Sequence, residues 1–392
     1  MKPKNIFIII FAILCLVNAA GCGGQPGVND SIQGSSKAGN LNPQAVVVNN
    51  LTGSELNLLD AQGKALGNIP AEDSNDLYSD NTIFTGKLDK DASQMPFVFT
   101  TYSTQVSIQL HQNSSDQMLR SIGSIGGIAG SRGETAIAFS EVVYGDYSLD
   151  SYLYVGNTDT VGFATSVYEM NDYLQQWAIA PEVVDTVDGQ PSGVWFTTTG
   201  WGVDGPGMFF PVTRGLYYYD AATGGVKEYL GEDDSLQGLS LDRSLAGSIP
   251  SSSYFDHEMT VTNLLTHWRL TFPLKPTSDQ GAGYAVFSPD NLHVAWMEVS
   301  QSSYSDYDYD LTVRVGNLET GEVEMEIDEN AAMLALGINA IDQLQPVGWL
   351  DADTLLIQVR GLDWSNAMLL QMRLSEHQLT QFSRGTFVSF IY

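Results

Sequence analysis

Residues Tyr284–Asp328 read YAVFSPDNLHVAWMEVSQSSYSDYDYDLTVRVGNLETGEVEMEID, and their reading decides the fold. Four short apolar runs alternate with turn-forming residues. The first break, Ser288-Pro289-Asp290-Asn291, has the Pro/Asp/Asn composition of a reverse turn. The last, Glu319-Thr320-Gly321, is a tight hairpin ending in glycine. Such runs and turns predict a unit of four antiparallel strands.

Runs equivalent to Leu292–Val299 recur along the chain. They are Ala45–Val48, Pro96–Tyr102, Ala136–Val142, Gly193–Thr199, Leu245–Pro250 and Thr354–Val359, with starts about 40 to 60 residues apart. Two longer internal matches support the repeat. Ile137–Asn157 and Val294–Asn317 both run from a strand through an acidic, Tyr-rich loop to a second strand ending in Val-Gly-Asn. Leu216–Leu230 and Val313–Ile327 both pivot on Thr-Gly. Several-stranded units repeated in fixed order at this period are the signature of a β-propeller.

The residues Phe287-Ser288-Pro289-Asp290 followed by Val294-Ala295-Trp296 resemble the repeat of TolB-like and WD-repeat-like bacterial propellers. The resemblance extends over roughly residues 45–392. It is strong in one blade and degenerate elsewhere, where Gly130-Ser131-Arg132-Gly133, Ser240-Leu241-Asp242-Arg243 and Trp349-Leu350-Asp351-Ala352 stand at the motif. It implies an all-β fold, and that family includes periplasmic scaffolds and many lipoproteins. The motif itself marks fold and not function.

Counting strands gives a closure argument. The first blade has strands at Ala45–Asn49, Glu55–Leu59 and Ala65–Ile69, and only polar chain precedes them. The last has four, at Gln345–Leu350, Thr354–Val359, Met368–Leu374 and Leu379–Phe382, with Thr386–Ile391 left over. The surplus strand fits the place missing from the first blade. The expected architecture is a seven-bladed propeller of four-stranded blades closed by the C-terminal strand, which removes an open edge. Two segments look helical instead: Val167–Ala180, carrying Tyr173, Leu174 and Trp177, and Met333–Asp342.

The 392 residues carry 46 acids against 17 Lys plus Arg, a formal charge of −29. Phosphate-rich partners would be repelled, so nucleic acid and anionic lipid surfaces are excluded as ligands. A solvated acidic surface, or a basic or cationic partner, fits this balance. Lys2 and Lys4 precede an apolar stretch, Ile6–Val17, too short for a mature membrane span. Then comes Ala19-Ala20-Gly21-Cys22, which resembles a bacterial lipobox, with Ala19 where Leu is usual. The expected organisation is a lipoprotein signal peptide over 1–21, a flexible Gly/Ser/Asn/Gln tether over 22–43 anchored through lipidated Cys22, and the propeller over 44–392. Cys15 leaves with the leader, so no disulfide can form within the mature chain. The implied location is extracytoplasmic, on the membrane of a bacterial envelope.

Candidate chemistry gathers in long loops joining the second and third strands of each blade: Tyr144–Asp150, Gly200–Pro211, Ser251–Glu258, Ser300–Asp310 and Gly361–Asn366. One propeller face would then carry Tyr144, Tyr147, Trp201, Tyr254, Tyr304, Tyr307 and Trp364 among carboxylates. Aromatic rings beside acids suit an envelope protein, a peptide or a glycan, against the alternative of solvated insertions. Asp306, Asp308 and Asp310 alternate and would offer oxygens to a hard cation such as calcium, although the glycine and closing glutamate of an EF-hand loop are missing. Bare charge at a loop tip explains them equally. No other cofactor is expected.

Enzyme signatures are poor. His111, His257, His267, His293 and His377 have no ligand spacing, and Ala129-Gly130-Ser131-Arg132-Gly133 lacks the first glycine of a nucleophile elbow. Trp195, Trp268, Trp296 and Trp349 fall in strand-like runs and are expected in the core. The leading reading is a lipid-anchored binding or scaffold module. The alternatives are a glycan hydrolase using loop carboxylates and a structural subunit of an envelope assembly complex.

Overall fold

The computed structural model describes residues 42–49, 55–70, 83–85, 97–101, 106–112, 115–122, 125–145, 148–157, 165–172, 177–200, 210–251, 258–275, 279–301, 309–361 and 367–392. These residues are all-β apart from one helix. In chain order the strands are β1 (Ala45–Asn49), β2 (Glu55–Leu59), β3 (Ala65–Pro70), β4 (Ile83–Thr85), β5 (Phe97–Thr101), β6 (Val106–Gln112), β7 (Ser115–Ile122), β8 (Ile125–Gly130), β9 (Ala136–Tyr144), β10 (Leu149–Asn157), β11 (Thr165–Asp172), β12 (Trp177–Val187), β13 (Gln190–Gly200) and β14 (Thr213–Asp220). There follow β15 (Gly225–Leu230), β16 (Asp234–Leu239), β17 (Leu245–Pro250), β18 (Glu258–Asn263), β19 (Arg269–Pro273), β20 (Asp279–Phe287), β21 (His293–Gln301), β22 (Tyr309–Asn317) and β23 (Val323–Asp328). The helix α1 (Glu329–Leu336) then leads to β24 (Ile341–Trp349), β25 (Thr354–Gly361), β26 (Ala367–Arg373), β27 (Gln378–Arg384) and β28 (Thr386–Ile391).

Six sheets each take four strands consecutive in sequence, all antiparallel: β4–β7, β8–β11, β12–β15, β16–β19, β20–β23 and β24–β27. A further sheet has the order β28-β1-β2-β3. In it Ala45 pairs with Ile391, Val46 with Phe390 and Val48 with Phe387. The surplus C-terminal strand therefore completes the three-stranded N-terminal unit with the expected bounds. Strands at the sheet edges gather beside one another: β28 lies against β4, β4 against β8, β8 against β12, β16 against β20, and β20 against β24. The remaining neighbours meet through β14 with β16 and β26 with β28.

The core fills the spaces between sheets. Trp296 is fully buried, with its ring 5.2 Å from that of Phe272. Trp195 and Trp349 are also buried. Trp268 departs from expectation: it lies just before β19 and is half-buried.

The expected Ser-Pro-Asp turn joins β20 to β21, and its hydrogen bonds recur in two degenerate copies. Backbone N–H groups of Ala136, Leu245 and His293 donate to the hydroxyls of Ser131, Ser240 and Ser288 at 3.1, 2.9 and 2.9 Å. The shared serine, five residues ahead of each donor, fixes the turn while Gly133, Arg243 and Asn291 take left-handed φ angles of 70°, 62° and 58°.

Both helix expectations need correction. The described parts of Val167–Ala180 are strand, with Val167 in β11 and Trp177 and Ala180 in β12, while Tyr173 and Leu174 lie outside the described residues. Tyr168 pairs with Leu153 and Glu169 with Tyr152, so strand pairing with β10 overrides the local spacing. Near Met333–Asp342 there is a helix, but it begins earlier. Asp328 caps α1 by accepting the Ala331 N–H at 2.8 Å, and Gly337 ends it at φ 67°.

One regularity has no counterpart in the sequence reading. In six sheets the edge strand slips register against its neighbour. The residues skipped include Gly126 in β8, Glu182 in β12, Gln237 in β16, Tyr284 and Ala285 in β20, Asp342 and Val347 in β24 and Val388 in β28. Such bulges increase local twist and re-aim a side chain, and they sit where the edge strands converge.

Candidate functional site

At the turn end of these edge strands, charged residues from distant parts of the chain meet. Arg132, in the β8–β9 turn, donates from Nη1 to the Leu241 carbonyl at 2.7 Å, and its Cζ stands 5.4 Å from the centre of the Tyr392 ring. In the β16–β17 turn, Arg243 Nε meets Asp185 Oδ1 at 3.1 Å. The other Asp185 oxygen accepts from Trp195 Nε1 at 2.8 Å. Asp242 accepts from the Ser240 and Ser244 hydroxyls at 2.8 and 2.7 Å, and from Asn291 Nδ2 at 2.9 Å.

Burial pulls the Arg132 guanidinium down to about 10, with the nearby Arg243 cation adding to the effect, so it remains charged at neutral pH. Burial also raises the Tyr392 phenol, while Arg132 opposes that shift. Burial pushes Asp242 up, but hydrogen bonds from Ser244, Ser240 and Asn291 outweigh it and hold the carboxyl below its usual value.

Arg132 and Tyr392 border a cavity of about 270 Å³. Leu239, Ala285, Val347 and Val388 contribute to its walls, and the last three are bulge residues. The bulges thus turn small aliphatic side chains toward a shared space. Sequence reasoning missed this site because its walls come from five separate edge strands and turns. The available signal was the degenerate turn motif, in which Arg132 and Arg243 replace residues of the Ser-Pro-Asp-Asn pattern.

Of the aromatic residues expected on the loop-rich face, Tyr144 is 54% exposed at the end of β9, opposite Leu149. Tyr147, Trp201, Tyr254, Tyr304, Tyr307 and Trp364 lie outside the described residues, as do Cys22, Asp306 and Asp308. Asp310 is exposed and pairs with Ser300 in the β21–β22 ladder. Among the described residues no three His, Cys, Asp or Glu side chains come together in a metal-binding arrangement. Leu334 of α1, which sequence reasoning did not single out, is 85% exposed. Ser131, the candidate elbow serine, accepts a turn hydrogen bond within the β8–β9 connection.

No family model matches the chain, and no curated protein matches it. Solved structures do. TolB from Acinetobacter baumannii is 16% identical, with a TM-score of 0.41 over 73% of this chain and 63% of that one. An oligogalacturonate lyase in complex with manganese is 15% identical, with a TM-score of 0.48 over 79% and 80%. A prolyl endopeptidase is 7% identical, with a TM-score of 0.52 over 89% of this chain and 47% of that one. TolB and oligogalacturonate lyase are β-propeller folds. The likeness is one of fold alone. The described residues of this chain are all-β apart from one helix and form four-stranded antiparallel sheets. It spans under two thirds of the TolB chain and about half of the endopeptidase.

Proposed function

We propose that this chain is a seven-bladed β-propeller, closed by Thr386–Ile391 and tethered to a bacterial envelope membrane through Cys22, that binds an envelope protein or peptide. Contacts passing from each sheet to the next, and from β26 to β28, support the ring. In such a ring, the hairpins joining second to third strands share one face with the connections between blades.

The observation that carries the binding reading is apolar exposure at those positions. Val143 and Tyr144 are 44% and 54% exposed at the β9–β10 hairpin, and Leu334 protrudes from the connection between β23 and β24. Exposed aliphatic groups beside an aromatic ring favour a protein or peptide over a glycan. The charge of −29 favours a basic or neutral partner.

Two experiments test the reading. Tyr144→Ala, Leu334→Glu, Trp201→Ala and Trp364→Ala should each weaken co-purification of a cross-linked envelope partner while leaving the melting temperature nearly unchanged. Undiminished recovery in all four would overturn the assigned face. Cys22→Ser should move the protein from the detergent phase to the aqueous phase. Continued partitioning with membranes would sink the lipid-anchor reading.

A further inference from the structure

The cavity beside Arg132 combines features that the loop-face reading does not use. In a strongly acidic chain, its one cationic side chain is half-buried and forms no ion pair with a carboxylate among the described residues. The nearby acids are already engaged: Asp185 holds Arg243 and Trp195, and Asp242 holds two serines and Asn291. Arg132 has five N–H donors, and among the described residues its hydrogen bond is the one to the Leu241 carbonyl. A half-buried cation with spare donors favours an anion that offers two acceptor oxygens. The walls add the aliphatic side chains of Leu239, Val347 and Val388. A cavity of 150 Å³ accommodates benzene, so about 270 Å³ suits roughly ten non-hydrogen atoms.

We propose that this cavity binds a small amphipathic carboxylate, with its head on the Arg132 guanidinium and an apolar body of aryl or short-alkyl size against Leu239, Val347 and Val388. Tyr392, whose ring centre lies 5.4 Å from the Arg132 Cζ, flanks the guanidinium. The size and the single cation exclude long acyl chains and polyanions.

Titration calorimetry with 3-phenylpropanoate on the full-length protein tests the site, with 3-phenylpropanol and inorganic phosphate as comparisons. Saturable binding of the carboxylate is expected, weakened at least tenfold by Arg132→Gln and largely retained by Arg132→Lys. The alcohol should bind more weakly and be indifferent to Arg132→Gln. Val347→Phe, which fills the cavity, should abolish both. Absence of saturable binding overturns the proposal, as does carboxylate binding that Arg132→Gln or Val347→Phe leaves intact. Phosphate binding as tightly as 3-phenylpropanoate would reduce the site to a bare anion contact and also overturn it. If Arg132→Gln fails to fold, the lysine and phenylalanine variants still decide.

Discussion

Asn291 donates from Nδ2 to the Asp242 carboxylate at 2.9 Å and to the Ser244 hydroxyl at 3.1 Å, tying the β20–β21 turn to the β16–β17 turn of the adjoining sheet. Its left-handed backbone, at φ 58°, is one that asparagine and glycine tolerate. Asn291→Gly keeps the turn and loses the bond between sheets, costing about 1 kcal/mol. Asn291→Asp also sets a carboxylate against Asp242, so its loss should be larger and should shrink as the medium is acidified. Denaturant midpoints at pH 7 and pH 4 measure both. Equal losses for the two variants at each pH would show that the contact carries no charge sensitivity.

The β28 strand locks in through two glycines that no other residue could replace cheaply. Gly385, at φ 112°, approaches the Asn49 carbonyl, and Gly348, at φ 148°, faces the Phe390 ring. A Cβ at either place would strike its neighbour. Gly385→Ala should therefore cost well over 1 kcal/mol. Deleting residues 385–392 removes the partner of β1 and the Phe387 N–H bond to Gln358 Oε1 at 2.6 Å. An unpaired β1 edge predicts aggregation on light scattering, far beyond the effect of trimming a loose tail. A truncated protein that stays monomeric with an unchanged melting temperature would contradict this.

This pairing was legible because strands can be counted: three at one end, five at the other, and TFVSFI too apolar for a free tail. The turn around Ser288 was legible because proline, aspartate and asparagine act locally. The cavity was not. Arg132, Leu239, Val347 and Tyr392 come together only through contacts between sheets, which leave no local periodicity. The bulges were hidden for a related reason. A skipped residue such as Val347 looks like any other member of an apolar strand until its partner is known. Tyr168 misled in the opposite direction, since a short segment fits helical spacing and strand pairing alike.

Within the β20–β23 sheet, the side chains of Glu298 and Arg314 are 5% and 10% exposed where the two pair at 2.8 Å, beside the fully buried Trp296. The same Glu298 oxygen accepts from Trp296 Nε1 at 2.9 Å, and Arg314 also reaches Glu326 at 3.0 Å. Removing one partner strands the other in the interior. Glu298→Ala should cost about 3–5 kcal/mol, whereas Glu298→Leu with Arg314→Met should cost less than the two single changes added together. Trp296→Ala should cost about 3–5 kcal/mol through the cavity it leaves. A double-mutant cycle on urea unfolding measures the coupling. Additive losses would show that the pair is not energetically joined.

Glu182 is the bulge residue between Pro181 and Val183, and it combines exposed surface with surroundings dense enough to desolvate its carboxyl. Burial raises that carboxyl from 4.5 to about 7, with no neighbouring charge contributing. The folded protein therefore binds more protons at this group than the unfolded chain between those two values. Stability contributed through Glu182 must fall as pH rises across that window and level off above it. Glu182→Gln, which cannot ionise, should match the parent in melting temperature near pH 4 and exceed it increasingly up to pH 8. Protonation of other carboxylates, such as Asp242 and Asp353, whose values lie below normal, destabilises both proteins alike at lower pH and cancels in the comparison. A melting difference that stays constant from pH 4 to pH 8 would mean that Glu182 ionises as a solvated carboxylate and that the strands around it do not desolvate it.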